Sequence, residues 1–156
     1  MTVIDGMIDG MIDAGGSLAD RIAQRFDDGG SGLMHEFGLA IVTAEPGRVS
    51  FTLPVVPRLT HGGGVLCGQA IMACMDTGMV FVMMSLSDDP DARFTTVQLQ
   101  TSFERGVPAD VGEVRFEATA TKTGRSLVFG QIDLLLPDER RAATATTTYM
   151  WVPGSA

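Results

Sequence analysis

Read from the N-terminus, the apolar residues change their period along the chain. Ile4, Ile8 and Ile12 recur every fourth residue with Met7 and Met11 on one helical face, while Asp5, Asp9 and Asp13 fall on a neighbouring one. This IDGM repeat predicts a weak helix, because glycines interrupt it, resting on the body or on a partner subunit. Gly15-Gly16 breaks it, and Ser17 suits the N-cap of a second helix running to about Phe26. Asp27-Asp28-Gly29-Gly30-Ser31-Gly32 then reads as a loop. From there the period becomes two. Phe37, Leu39 and Ile41 alternate, Glu45-Pro46-Gly47-Arg48 makes a turn, and Val49, Phe51 and Leu53 alternate again, which predicts a hairpin with His35 at its start in a structural role.

The stretch 61–85, HGGGVLCGQAIMACMDTGMVFVMMS, is the exception to both periods. It opens on glycines and continues as an almost wholly apolar helix with one carboxylate, Asp76, in its middle. Four strand-like segments follow, at about 94–103, 111–121, 126–136 and 142–152, each alternating apolar and polar residues. Lys122-Thr123-Gly124-Arg125 forms the turn between the second and third. Turn-length links predict one antiparallel sheet of about six strands. A helix apolar on nearly every side must be enclosed, so the sheet should curve around it, in an α+β fold. One curved sheet covers one side only, and a second subunit is expected to close the other. The predicted organisation is an N-terminal helical segment and loop over 1–32 and the sheet-and-helix domain over 33–156.

Composition narrows the function. The chain has 156 residues, with 45% hydrophobic side chains and a net charge of −8, the wrong sign for a general nucleic-acid binder. Cys67 and Cys74, seven apart in one helix, lie ~10 Å apart along the axis, too far for a disulfide. Free thiols fit a reducing compartment, and no secretory pattern precedes Arg21, so a cytoplasmic protein is expected. Asp76 at the centre of residues 65–86 makes that segment a poor membrane span, so no membrane partner is expected. The two histidines and two cysteines have no metal-ligand spacing, and the glycine run lacks the Lys-Ser/Thr of a P-loop.

A carboxylate within so apolar a segment is costly unless it is paired, hydrated or used. One alternative is an ion pair with Arg58 or Arg105. The other is chemistry. Glycines entering a helix let backbone approach a ligand, and the first N–H groups of the helix have no internal partners, so they suit a developing oxyanion. Asp76 lies ~12 Å along the axis from Gly68. One carbonyl cannot touch both, so a site that uses both draws them from two chains.

HGGGVLCGQAIMACMD resembles the signature of hotdog-fold acyl-CoA thioesterases of the phenylacetate-degradation (PaaI-like) type: Asn-x-x-Gly-x-Leu-His-Gly-Gly, then six residues and Asp. His61 stands at the Asn, Gly64 and Leu66 match, Cys67-Gly68-Gln69 replace His-Gly-Gly, and Asp76 falls on the catalytic acid. TTVQLQTSFERGVPADVGEV is similar to the family's following strand, with Thr96 where some members hold water. Lys122-Thr123-Gly124-Arg125-Ser126 resembles its turn near bound CoA. The resemblance spans roughly 33–152 and implies a hotdog fold, a long central helix wrapped by the sheet, in a homodimer with composite sites, assembled further as a dimer of dimers. It implies thioester hydrolysis with Asp76 as nucleophile or general base, the Gly68 N–H polarising the carbonyl, and His61 and Thr96 assisting. Cys67, Gln69, Lys122, Gly124, Arg125 and Ser126 would contact the acyl-CoA, with no cofactor beyond the CoA of the substrate. Two other readings remain open: a non-catalytic acyl-CoA binder, and a hotdog hydratase or dehydratase, against which Gln69 stands in place of the acidic Glu of Gly-Val-Leu-x-x-Glu.

Overall fold

The computed structural model describes residues 16–154; the IDGM repeat lies outside them. Helix α1 spans Leu18–Gly29. Ser17 caps it reciprocally with Asp20, the Ser17 hydroxyl accepting from the Asp20 N–H at 3.2 Å while the Asp20 carboxylate accepts from the Ser17 N–H at 2.9 Å. The helix runs through the expected loop to Gly29, held by Gln24 donating to Asp28 at 2.9 Å. It stops where Gly30 turns its N–H back to the Phe26 carbonyl, a position at which a Cβ would clash with that oxygen. A second short helix, α2 (Gly32–His35), replaces the rest of the loop and the predicted start of the first strand. His35 sits in it, its Nε2 bonded to the Phe26 carbonyl at 2.9 Å and its ring edge-on to Phe26. Ile22 and Phe26, four residues apart, are buried in the common core, with Phe26 edge-on to Phe81.

The predicted hairpin is β1 (Ala40–Glu45) and β2 (Arg48–Pro54). The glycine run is itself a small hairpin, β3 (Thr60–His61) and β4 (Val65–Leu66), which sequence periodicity missed because its strands are two residues long. Helix α3 follows over Gly68–Ser85, then β5 (Arg93–Phe103), β6 (Glu113–Thr123), β7 (Leu127–Leu135) and β8 (Arg141–Val152). The six long strands form one antiparallel sheet in the order β1-β2-β6-β7-β8-β5, with β5 at an edge. This is the hotdog fold, α+β with the sheet around one long helix.

The inward face of the sheet carries Phe51, Leu53, Phe116, Ala118, Ile132 and Leu134, all buried against α3. By length and composition α3 could cross a membrane, but most of it is buried in this sheet. Two glycines set how closely helix and sheet approach. A Cβ on Gly78 would lie 2.9 Å from the Phe51 ring, which cannot retreat because it stacks on Phe116 at 5.0 Å. From the sheet side, a Cβ on Gly130 would meet the Met79 sulfur at 2.6 Å.

Gly78→Val tests that approach. Helix propensity changes little in its favour, whereas overpacking here should cost about 1–3 kcal/mol. A denaturant melt of the variant with an unchanged midpoint would contradict the close contact.

Candidate active site

Asp76 lies half-buried in the middle of α3, on the side facing the edge strand. It has no ion pair among the described residues. Arg58 instead donates to the Glu36 carbonyl, and Arg105 donates to the Arg141 carbonyl at 2.7 Å. Two hydroxyls satisfy the carboxylate. Thr96 Oγ1 donates to Oδ1 at 2.8 Å, and the Tyr149 hydroxyl donates to the same oxygen at 2.6 Å. Tyr149 has one proton, and the backbone carbonyl of Asp76 lies farther from it at 3.0 Å. No hydrogen bond from the described residues reaches Oδ2, so the carboxylate is fixed by one oxygen and presents the other.

The sheet explains how these groups meet. Thr96 and Tyr149 are directly opposite in the β5–β8 ladder, so their side chains point to the same face, towards α3. A β-bulge immediately after Thr96 shifts the register there. Tyr149 is 1% exposed, and burial, followed by its bond to Asp76, pushes its hydroxyl well above the ordinary tyrosine range. It therefore stays a neutral donor. Sequence reasoning missed Tyr149, since an aromatic residue at an inward strand position reads as core; the signal was a polar-tipped ring among inward residues of a threonine-rich strand.

At the start of α3, Cys67 occupies the N-cap and makes no side-chain cap bond, and the first turn has no acidic residue. The N–H groups of Gly68 and its successors thus face outward without helical partners. Gly68 packs under the Phe103 ring, whose atoms would lie 3.4 Å from a Cβ there. Cys67 donates its N–H to Leu59 O at 2.8 Å, and Gln69 is exposed on the first turn. His61 is also exposed, but its Nδ1 accepts from the Gly63 N–H at 2.9 Å, so the ring folds onto its own turn. Cys74 is buried in α3, and burial pushes its thiol well up, which leaves it protonated.

Gly68 and Asp76 belong to one continuous helix, so the ~12 Å axial separation holds within one chain. Lys122 is exposed at the end of β6, and Gly124, Arg125 and Ser126 form the turn to β7, where the Gly124 N–H donates to Leu127 O at 2.8 Å and Ser126 O accepts from the Trp151 N–H. Neither Lys122 nor Arg125 forms an ion pair among the described residues. The structure therefore brings Asp76 and Thr96 together, adds Tyr149, and keeps the helix start at Gly68 apart from them within one chain, while the β6–β7 turn adjoins the end of β8 that carries Tyr149.

The sequence model of the thioesterase superfamily matches residues 63–143, which cover the second strand of the glycine hairpin, all of α3, β5 through β7 and the start of β8. The chain belongs to the thioesterase superfamily. Membership places it among thioester hydrolases, with the hotdog fold of the PaaI-like members. A thioesterase family protein of Silicibacter pomeroyi is similar over 88% of this chain and 100% of its own, at 27% identity and a TM-score of 0.77. The Escherichia coli PaaI protein of the phenylacetic acid degradation operon shares the fold at 15% identity, with a TM-score of 0.76 over 89% of this chain and 99% of its own. A Streptococcus mutans protein solved with acetyl-CoA shares it at 18% identity and a TM-score of 0.68, over 76% of this chain and 91% of its own. No curated protein matches the chain in sequence.

Tyr149 is the chain's one tyrosine, so its absorbance reports the site directly. Its pKa is raised in the fold, so its contribution to stability is complete below the unfolded value of about 10 and is lost as the pH rises beyond it. Phenolate absorbance should appear only together with unfolding at alkaline pH. Titration near pH 10 in protein that remains folded would contradict the buried bond to Asp76.

Proposed function

We propose that the protein hydrolyses an acyl-CoA thioester with Asp76 as the catalytic carboxylate. The observation that carries this reading is the asymmetry of its two oxygens: two hydroxyls hold Oδ1, and Oδ2 is left for the reaction. As general base, Oδ2 takes a proton from water while the water oxygen bonds to the thioester carbon. The carbonyl oxygen becomes an oxyanion, and the Gly68 N–H at the helix N-terminus stabilises it. Collapse breaks the C–S bond, releasing the carboxylic acid, and the CoA sulfur takes the proton. Direct attack by Oδ2, with water cleaving the resulting anhydride, uses the same geometry. Thr96 and Tyr149 orient the carboxylate in either case.

The oxyanion donor comes from a second copy. Strand β5 is an unpaired edge, and three contacts show that it runs antiparallel to α3: Phe103 lies on Gly68, Thr96 on Asp76, and Phe94 shares a cavity wall with Met84. A two-fold pairing of β5 with its counterpart is antiparallel. It carries the Phe103 end of one chain, with its Gly68, to the Thr96 end of the other, with its Asp76. It also covers Val97, 56% exposed on that edge. The CoA arm would then follow the surface, contacting His61, Cys67 and Gln69 near the helix start, while Lys122, Gly124, Arg125 and Ser126 meet its phosphates. The unpaired edge of β5 supports a homodimer, or a dimer of such dimers, and the free thiols of Cys67 and Cys74 support a cytoplasmic location.

Asp76→Asn preserves an oxygen acceptor for Thr96 and Tyr149 but removes the base. It should lower CoA thiol release by at least about 100-fold, with the melting temperature little changed. Full activity, or a loss that only follows the folded fraction, would contradict the reading and leave Asp76 a structural residue.

A further inference from the structure

A cavity of about 1050 Å³ opens away from Asp76. It lies between α1, the loop after α3 and the first residues of β5. Its apolar lining includes Leu18 and Ile22 of α1, Met84 near the end of α3, and Phe94 of β5. Its charged lining balances, with Asp20, Asp28 and Asp88 against Arg21, Arg25 and Arg93. Two of these arginines are already engaged. Arg25 donates to Ala92 O at 2.9 Å, and Arg21 approaches Asp88 at 4.0 Å. A lining with no net charge selects neither an anionic nor a cationic group.

The cavity is in register with the site. Asp76, Val80 and Met84 follow at four-residue intervals along α3 and so share one face, leading from the carboxylate to the cavity. On β5, Phe94 is two residues before Thr96 and therefore on the same face of the strand. Its ring lies 6.2 Å from that of Tyr149, which holds Asp76, and 5.9 Å from Trp151. Phe94 is thus a wall common to the cavity and to the hydroxyl pair that holds Asp76. The axial distance from Asp76 to Met84 is ~12 Å, room for a chain of several methylenes and more than an acetyl group uses.

We infer that this cavity receives the distal, uncharged end of a medium-length acyl chain whose thioester lies at Asp76, and that α1 sets the chain-length preference. The inference rests on the thioesterase reading above and extends it to the substrate class. Each further methylene buried beneath α1 should tighten binding about fourfold until the cavity is full.

Acetyl-, hexanoyl- and decanoyl-CoA separate the possibilities, with dissociation constants from calorimetry and hydrolysis rates measured on the same full-length protein. The wild type should prefer decanoyl- over acetyl-CoA. Leu18→Trp and Ala92→Trp, which fill the cavity from opposite walls, should each weaken decanoyl-CoA binding and lower its kcat/KM at least tenfold. Both should leave acetyl-CoA within twofold, which also shows that the variants fold. A uniform rise in KM for all three thioesters, as expected if the cavity held the CoA arm, would overturn the inference, as would a wild type indifferent to chain length. Preferential binding of decanoyl-CoA without hydrolysis would uphold the acyl site while overturning the catalytic reading.

Discussion

The bond between the Asp76 carboxylate and the Tyr149 hydroxyl joins the helix to the sheet at the one charged position in the interior of α3. With Thr96 it satisfies a charge that would otherwise be costly to bury. The same pair fixes the rotation of α3 against β5 and β8, because neighbouring strands supply the two donors from directly opposed positions. A cation at this place would have neutralised the carboxylate. Neutral donors leave its charge available, and burial keeps Tyr149 from giving up its proton.

Around this point the fold is arranged for close approach. Gly78 and Gly130 bring α3 against the sheet at a distance where an added Cβ would push on Phe51, held in place by Phe116, or on the end of Met79. On the opposite flank the sheet ends at β5, so the stripe of α3 with Gln69, Met72 and Asp76 is less covered; Met72 is 41% exposed despite being apolar. The antiparallel course of β5 along α3 gives this open edge its meaning. It puts the helix start and the carboxylate at opposite ends of a surface that a two-fold axis would exchange.

Much of this was legible in the sequence. Period-two alternation located the six long strands, and the absence of any polar face marked α3 as enclosed. Asp76 stood out because a single charge in an apolar run needs a reason. The limits were also physical. The β3–β4 hairpin and α2 are too short to show a period, and α1 outlasts its expected end because Gly30, not the paired aspartates, supplies the stop. Tyr149 escaped because it is fifty-three residues from Thr96 in sequence, and only the β5–β8 register places both hydroxyls on one carboxylate. His61 shows the converse. Its residue type suited the chemistry, but the sequence could not show that its Nδ1 accepts from the Gly63 N–H and leaves Nε2 as the nitrogen open to a ligand.

The claim on which the account depends is that one site takes Asp76 from one chain and the Gly68 N–H from another. Mixing two inactive variants tests it most directly. Gly68→Pro deletes the N–H at a helix position that tolerates proline, and Asp76→Asn deletes the base. Each variant alone should be inactive. In a mixed dimer, one of the two sites regains both an intact Asp76 and an intact Gly68, so co-refolded protein should recover roughly a quarter of the wild-type rate under random pairing. If the mixture stays as inactive as its components although mixed dimers form, the two-chain site is wrong.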